Sequence, residues 1–160
     1  MSLRAILDAT KTILSGISVA GRVYEHQLYA MDDVDFVSFF KDSNNRIDTC
    51  MITRGSTDAQ DEGPNNQFDY HLLVIDKYRS VSRTANDSIN SEDAFQDDVE
   101  TIRATFKGNR KLTVGGIHNA HFAGAMSAPE VHYVMFCGVL CHHAKLTMKV
   151  KDGPISTQSL

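Results

Sequence analysis

The stretch from Val131 to Val150, VHYVMFCGVLCHHAKLTMKV, constrains this chain more than any other. Its length approaches that of a membrane-spanning helix, but its pattern is that of strands. In the second half, His142, Ala144, Leu146, Met148 and Val150 fall on one parity, and His143, Lys145, Thr147 and Lys149 on the other. That period-2 alternation belongs to a strand with one buried face. The first half, with Val131, Tyr133, Val134, Met135 and Phe136, is dense in β-branched and aromatic residues, as a buried strand is. Gly138 separates the halves, where a bend, bulge or turn costs little. The stretch reads as two antiparallel strands, or as one long strand bent at Gly138. The rest of the chain must pack against it or pair with it.

Upstream, Leu3, Ile6, Leu7, Thr10, Ile13 and Leu14 recur at helical spacing behind Ser2 and ahead of Gly16, which predicts a helix over Leu3–Ser15. Ile17 to Val23 is a connection into a short strand near Val23–Leu28. Asp32 or Asp33 starts a second, short helix whose aromatics, Phe36, Phe39 and Phe40, are too dense for a surface helix, so it docks. Asp42 to Asn45 is a turn cluster. Arg46–Arg54 alternates as a strand, with a register break expected near Cys50. Gly55–Gln67, GSTDAQDEGPNNQ, has Ala59 as its one apolar residue and carries Asp58, Asp61 and Glu62. It reads as a long hairpin loop, of the kind that is functional or unstructured in compact domains. Phe68–Tyr78 is the clearest central strand and pairs with Arg46–Arg54. Asn90 or Ser91 caps the longest helix, with Phe95, Val99, Ile102 and Phe106 as its apolar stripe and Gly108 at its end. Lys111–Pro129 holds one short strand near Leu112–Ile117. The expected class is α+β: a mostly antiparallel sheet with an N-terminal helix, a short aromatic helix and one long helix packed on one of its faces. Within 160 residues this is one domain over 1–152, followed by a polar tail over 153–160.

The net charge of −4 leaves no broad basic face for nucleic acid. The first ten residues are amphipathic, contain Asp8 and do not read as a signal peptide. Three cysteines without disulfide spacing, Cys50, Cys137 and Cys141, are expected as free thiols. Cys137, Cys141, His142 and His143, with His118 and His121, are the residue types of a zinc site. On a strand, however, positions 142 and 143 point to opposite faces, so a common metal is not expected. A nucleophilic Cys141–His71 pair would need an exposed thiol of low pKa, and the apolar neighbours of Cys141 work against that. Gly115-Gly116 and Gly124 open no phosphate loop. Asp58, Asp61 and Glu62 lack the glycine and terminal glutamate of a calcium loop. Asp97, Asp98 and Glu100 read as the wet face of the long helix. No catalytic residue, cofactor or metal ligand is expected, and a structural or assembly role fits the chain better than an enzymatic one.

Four stretches taken together resemble a known family. They are Ser15–Asp42 after the first helix, Asn44–Ser56, Phe68–Val81 with the helix ending TIRATFKGN, and Val131–Val150. Gly21, Val23 and Tyr24, the aromatic helix Phe36–Phe40, Thr53-Arg54 at a strand end and the run from Phe136 to His142 carry the pattern. The order is similar to that of tail terminators, small proteins of the neck and tail of long-tailed bacteriophages. The resemblance implies a homo-oligomeric ring, a hexamer, that caps the tail tube and joins it to the head. Its partners would be itself, the tail tube protein and the head-side connector or neck protein. DNA would pass through the lumen without being read, no membrane would be involved, and the protein would sit in the virion neck after assembly in the host cytoplasm. An acidic chain suits such a lumen, because a basic wall would hold phosphates. On this reading Asp58, Asp61 and Glu62 line the lumen or reach a neighbouring subunit or the tube. Phe36, Phe39, Phe40, His143 and Lys145 supply a subunit or tube interface. The competing readings are another neck component, a head-closure or adaptor protein, and a small Cys/His metal-binding domain.

Overall fold

The computed structural model of the chain describes residues 2–25, 33–61, 67–81, 85–114, 117–128 and 131–152. Among them it forms helices α1 (Leu3–Ser15), α2 (Asp33–Phe40) and α3 (Ala85–Gly108). The strands are β1 (Arg22–Tyr24), β2 (Asp48–Asp61), β3 (Gln67–Ser80), β4 (Lys111–Val114), β5 (Ile117–Phe122), β6 (Val131–Phe136) and β7 (Val139–Asp152). The class is the expected α+β.

The C-terminal stretch is two antiparallel strands, β6 and β7, joined at Cys137-Gly138. Both turn residues have positive φ, 50° and 70°, the two-residue geometry whose twist matches that of the flanking strands. β7 is the spine of the sheet, whose order is β1-β2-β3-β7-β5-β4, with β6 also on β7. One edge of β7 is taken by β3, from Asp69 opposite Asp152 to Ser80 opposite Cys141. Its other edge is shared by β6, by a single bridge from Ser127 to Thr147, and by β5.

The alternation along β7 sorts the layers. Ala144, Leu146, Met148 and Val150 are buried with Leu73 and Ile75 of β3 and Cys50 and Ile52 of β2. Against them pack Ile6, Leu7 and Leu14 of α1 and the α3 stripe of Phe95, Val99, Ile102 and Phe106. Ser2 caps α1 by accepting from the Ala5 N–H. A second cluster forms on the other face, where Phe40 of α2, Ile47 and Cys141 are buried with Tyr24, Phe36, Tyr78 and Phe136 around them. The helices therefore do not share one face: α1 and α3 cover one side of the sheet and α2 docks on the other.

Other expectations are corrected as well. Gly55–Asp61 is strand, not loop, because β2 and β3 pair without a break in strand structure from Asp48 opposite Arg79 to Asp61 opposite Gln67. The register shift lies between Arg54 and Ser56, at Gly55, and not near Cys50, which is fully buried in regular ladder. α3 begins at Ala85, well before Asn90 or Ser91. Lys111–Phe122 holds a hairpin of two strands instead of one strand. Asp98 is not on a wet face but is buried and paired with Arg79 at 2.5 Å, whereas Asp97 and Glu100 are exposed. The expected strand near Val23–Leu28 is β1, and its residues from 26 onward lie outside the described residues, as do Asp32 and the tail 153–160.

One buried cation ties the N-terminal segment to the sheet. Lys77, near the C-terminal end of β3, is fully buried on the α1/α3 side. Its ammonium donates to the Val19 carbonyl at 2.7 Å and pairs with the Asp48 carboxylate at the start of β2. Gly21 lets the chain reach this place: its φ is +68°, and a Cβ there would overlap the Asp48 carbonyl. Gly21→Ala is expected to destabilise the fold by about 2–3 kcal/mol, through the left-handed backbone and the overlap together, as a lowered urea midpoint would show. Asp48→Ala leaves the Lys77 charge buried without its counter-ion and should cost about 3 kcal/mol. Lys77→Met removes the charge itself and should cost less, an order that denaturant titration of both variants checks.

Candidate assembly surfaces

The surfaces open to a partner lie at the two ends of the β3–β7 pair. At one end the β2–β3 hairpin overhangs β7, because β3 stops pairing with β7 at Asp69 while β2–β3 pairing continues to Asp61 and Gln67. The β2 strand of this hairpin, from Thr57 to Asp61, is exposed. Asp58 and Asp61 stand on β2, fixed by the ladder, and make no ion pair among the described residues. Glu62 lies outside the described residues. Beneath the hairpin, on the face away from α1 and α3, Lys149 sits 4.7 Å from the Tyr70 ring centroid and Lys151 sits 4.0 Å from that of Phe68. These cation–π contacts lay the lysine stems along the rings. The acidic edge thus adjoins a basic one.

The other end is aromatic and apolar. Phe40 is the centre of a cluster, with its ring centroid 5.1 Å from Phe36, 5.5 Å from Tyr24 and 4.9 Å from Phe136. The three phenylalanines expected at an interface therefore separate. Phe40 is core, Phe36 is half-buried, and Phe39 is 41% exposed. The Phe39 carbonyl accepts from the Tyr24 hydroxyl at 2.6 Å, which anchors α2 against β1. His143 is half-buried, stacked on Tyr78 at 4.6 Å and hydrogen-bonded to Asp76. Lys145, two residues on and on the same face, is exposed.

Sequence reasoning missed the largest exposed apolar groups. Tyr133, Met135 and Leu140 are 50%, 68% and 46% exposed. Tyr133 pairs with His142, and Met135 with Leu140, so all three project from the α1/α3 side of the β6–β7 hairpin. The Tyr133 hydroxyl donates to Glu92 of α3 at 2.8 Å, and that bond raises its pKa. The signal was present: residues 131–136 are apolar at both parities, and a strand at a sheet end buries one parity. Along β7 the two ends are eleven residues apart, from Asp152 to Cys141, or roughly 36 Å at about 3.3 Å per residue.

Among the described residues, the candidate cysteine and histidine side chains lie apart from one another. His142 and His143 point to opposite faces, as expected. His142 is buried, stacks on Phe95 at 5.3 Å and bonds to Ser91 at 2.7 Å, and burial lowers its pKa. His71 bonds to Thr57 at 2.9 Å and stands opposite Val150, while Cys141 stands opposite Ser80 at the far end of the pair. The Cys141–His71 pairing is therefore excluded by register. Burial pushes the Cys50 thiol up to about 12 and the Cys141 thiol up to about 11, and raises Cys137 as well. Among the described residues, no three His, Cys, Asp or Glu side chains are grouped to hold a metal ion. An open groove of about 650 Å³ runs between the ends of α1 and α3 beside β4. Ala9, Ile13, Ile17 and Thr105 line it, and Lys111 is the one charged residue of its wall.

No protein-family model matches the sequence, and a search of curated proteins returned no match.

Thiol reactivity follows burial here, because the thiolate is the nucleophile. Alkylation of the native protein at pH 8, mapped by peptide mass spectrometry, should modify the half-buried Cys137 first and Cys141 slowly. Cys50 should stay unmodified until the protein is unfolded.

Proposed function

We propose that this protein is a structural subunit of the tail-terminator class, which closes into a ring through head-to-tail contacts, caps a phage tail tube and lets DNA through its lumen. It carries out no chemistry in this role. One observation supports the reading above the others: the chain exposes two chemically unlike surfaces at opposite ends of one rigid strand pair. One end carries Asp58 and Asp61 on the two faces of β2, and the other carries Tyr133, Met135 and Leu140 together on the α1/α3 side, with Phe39 of α2 on the far side. A two-fold dimer uses one self-complementary patch, whereas a ring needs two different patches on every subunit. Apolar side chains of this size, exposed together, mark a surface that is covered in an assembly. The tube protein and the head-side connector are the further partners in this reading. The acidic hairpin faces the lumen, where carboxylates repel the DNA backbone and keep it sliding.

The test is the mass of the purified protein by light scattering, with negative-stain images of the same fraction and of the protein mixed with tail tubes. A ring with a central hole is expected, alone or on the tube end. A Met135→Asp/Leu140→Asp variant should keep its circular dichroism, because both positions are exposed, but drop to the 17.8 kDa monomer and no longer cap tubes. Wild-type protein that stays monomeric, alone and with tubes, would sink the proposal.

A further inference from the structure

Strand β6 lies off the main path of the sheet and pairs with β7 alone among the described strands. Near its start, His132 stands opposite His143. His132 Nε2 and His143 Nδ1 are 3.1 Å apart, with the rings close to perpendicular at 81°. His143 turns its other nitrogen, Nε2, to Asp76 Oδ1 at 2.8 Å. Lys145 stands opposite Asp76 in the register but forms no ion pair with it, so Asp76 is committed to His143.

These contacts assign the tautomer. A carboxylate only accepts, so His143 Nε2 carries its proton, and in the neutral ring Nδ1 holds the lone pair. That lone pair points to His132 across the strand pair. His132 is exposed and His143 is half-buried, so the space beside the two nitrogens opens to solvent. A carboxylate–imidazole pair with the far nitrogen left as a donor is the arrangement that orients a metal-bound histidine and raises its basicity. Two imidazole nitrogens at 2.0–2.1 Å from a tetrahedral zinc ion stand about 3.3 Å apart. The pair is already within a few tenths of an ångström of that separation.

We propose that His132 and His143 form a two-imidazole clip for a first-row transition-metal ion of zinc or nickel type, with Asp76 as the residue that orients His143. On binding, His132 carries its proton on Nδ1 in place of Nε2, and its exposed ring swings so that both lone pairs meet the ion. Water occupies the solvent-side positions. Hard oxygen-seeking ions such as magnesium are poorly matched to this donor pair. Bound metal staples β6 to β7 and so rigidifies the hairpin that carries Met135 and Leu140. The proposal holds whether or not the protein forms a ring.

The experiment is calorimetric titration of the full chain, stripped with chelator and dialysed, with zinc chloride and in parallel with nickel chloride, alongside thermal unfolding and amide exchange. One equivalent per chain is expected, with the unfolding midpoint rising with zinc and exchange slowed in Val131–Phe136. His132→Ala should abolish that equivalent, with His132→Gln as a second variant that keeps a polar side chain. Asp76→Asn should weaken binding about tenfold. No saturable binding below millimolar zinc would overturn the proposal. So would an equivalent that persists unchanged in both His132 variants, which would place the metal on other histidines.

Discussion

The ammonium of Lys77 is the constraint on which the arrangement of the layers depends. It lies on β3, three residues before its end at Ser80, on the side where α1 and α3 pack, with no access to solvent. A charge taken out of water costs several kcal/mol unless it is paired and hydrogen-bonded. Both partners come from segments distant in sequence: Val19 from the turn after α1 and Asp48 from the first residue of β2. The native packing of β3 therefore requires α1 to have returned to the sheet and β2 to be in register. Gly21 belongs to the same device, since no other residue fits against the Asp48 backbone at that φ. The parallel pairing of β1 with β2 follows directly, with Thr49 donating its hydroxyl to the Arg22 carbonyl at 2.8 Å.

With the centre of the sheet fixed in this way, its ends are free to differ. β2, β3 and β7 each run for 14 residues, far longer than the helices can cover. Where the helices stop, the strands continue as bare ladder on one side and as the β6–β7 hairpin on the other. The first overhang tolerates Asp58 and Asp61 because a ladder satisfies its backbone without burying side chains. The second is held from behind by Phe40, Phe136 and Tyr78, which frees Met135 and Leu140 to face outward. The exposed surfaces thus follow from strand length set against helix coverage.

What was legible in the sequence tracks where side chains are sorted by burial. β7, α1 and the stripe of α3 were readable because one face of each is packed and the other is wet, so their periods survive in the sequence. Gly55–Asp61 was not, because a strand whose side chains stay largely in solvent needs no apolar residue and looks like a loop. The side of the sheet taken by α2 was invisible too. Phe36, Phe39 and Phe40 announce docking, but the choice of face depends on the position of Cys141 and Ile47 in three dimensions. Asp98 read as solvated because its partner, Arg79, is 19 residues away on another element. Of the candidate surface, the acidic residues were found by composition. Met135 and Leu140 are indistinguishable from buried strand residues in the sequence, because an apolar side chain carries no mark of which end of a sheet it stands on.

The size of the two surfaces bears on how an assembly would form. Three apolar side chains exposed on one face and two carboxylates on the two faces of β2 are fewer than the 20–30 residues a side of a stable pairwise interface, so one contact of this kind between two subunits is weak. Closure changes the arithmetic. In a ring the last contact joins ends that are already tethered, and an effective concentration in the millimolar range stands in for the dilute solution value. Weak head-to-tail contacts then yield complete rings or single subunits, with few intermediates between them. On the proposed reading, a tail tube end that offers several identical seats would act in the same direction, since each seated subunit would hold its neighbour in place. Small, unlike and rigidly spaced patches are thus sufficient for a subunit that, on the proposed reading, assembles only where a template holds it. Larger apolar ones would favour indiscriminate association before that point.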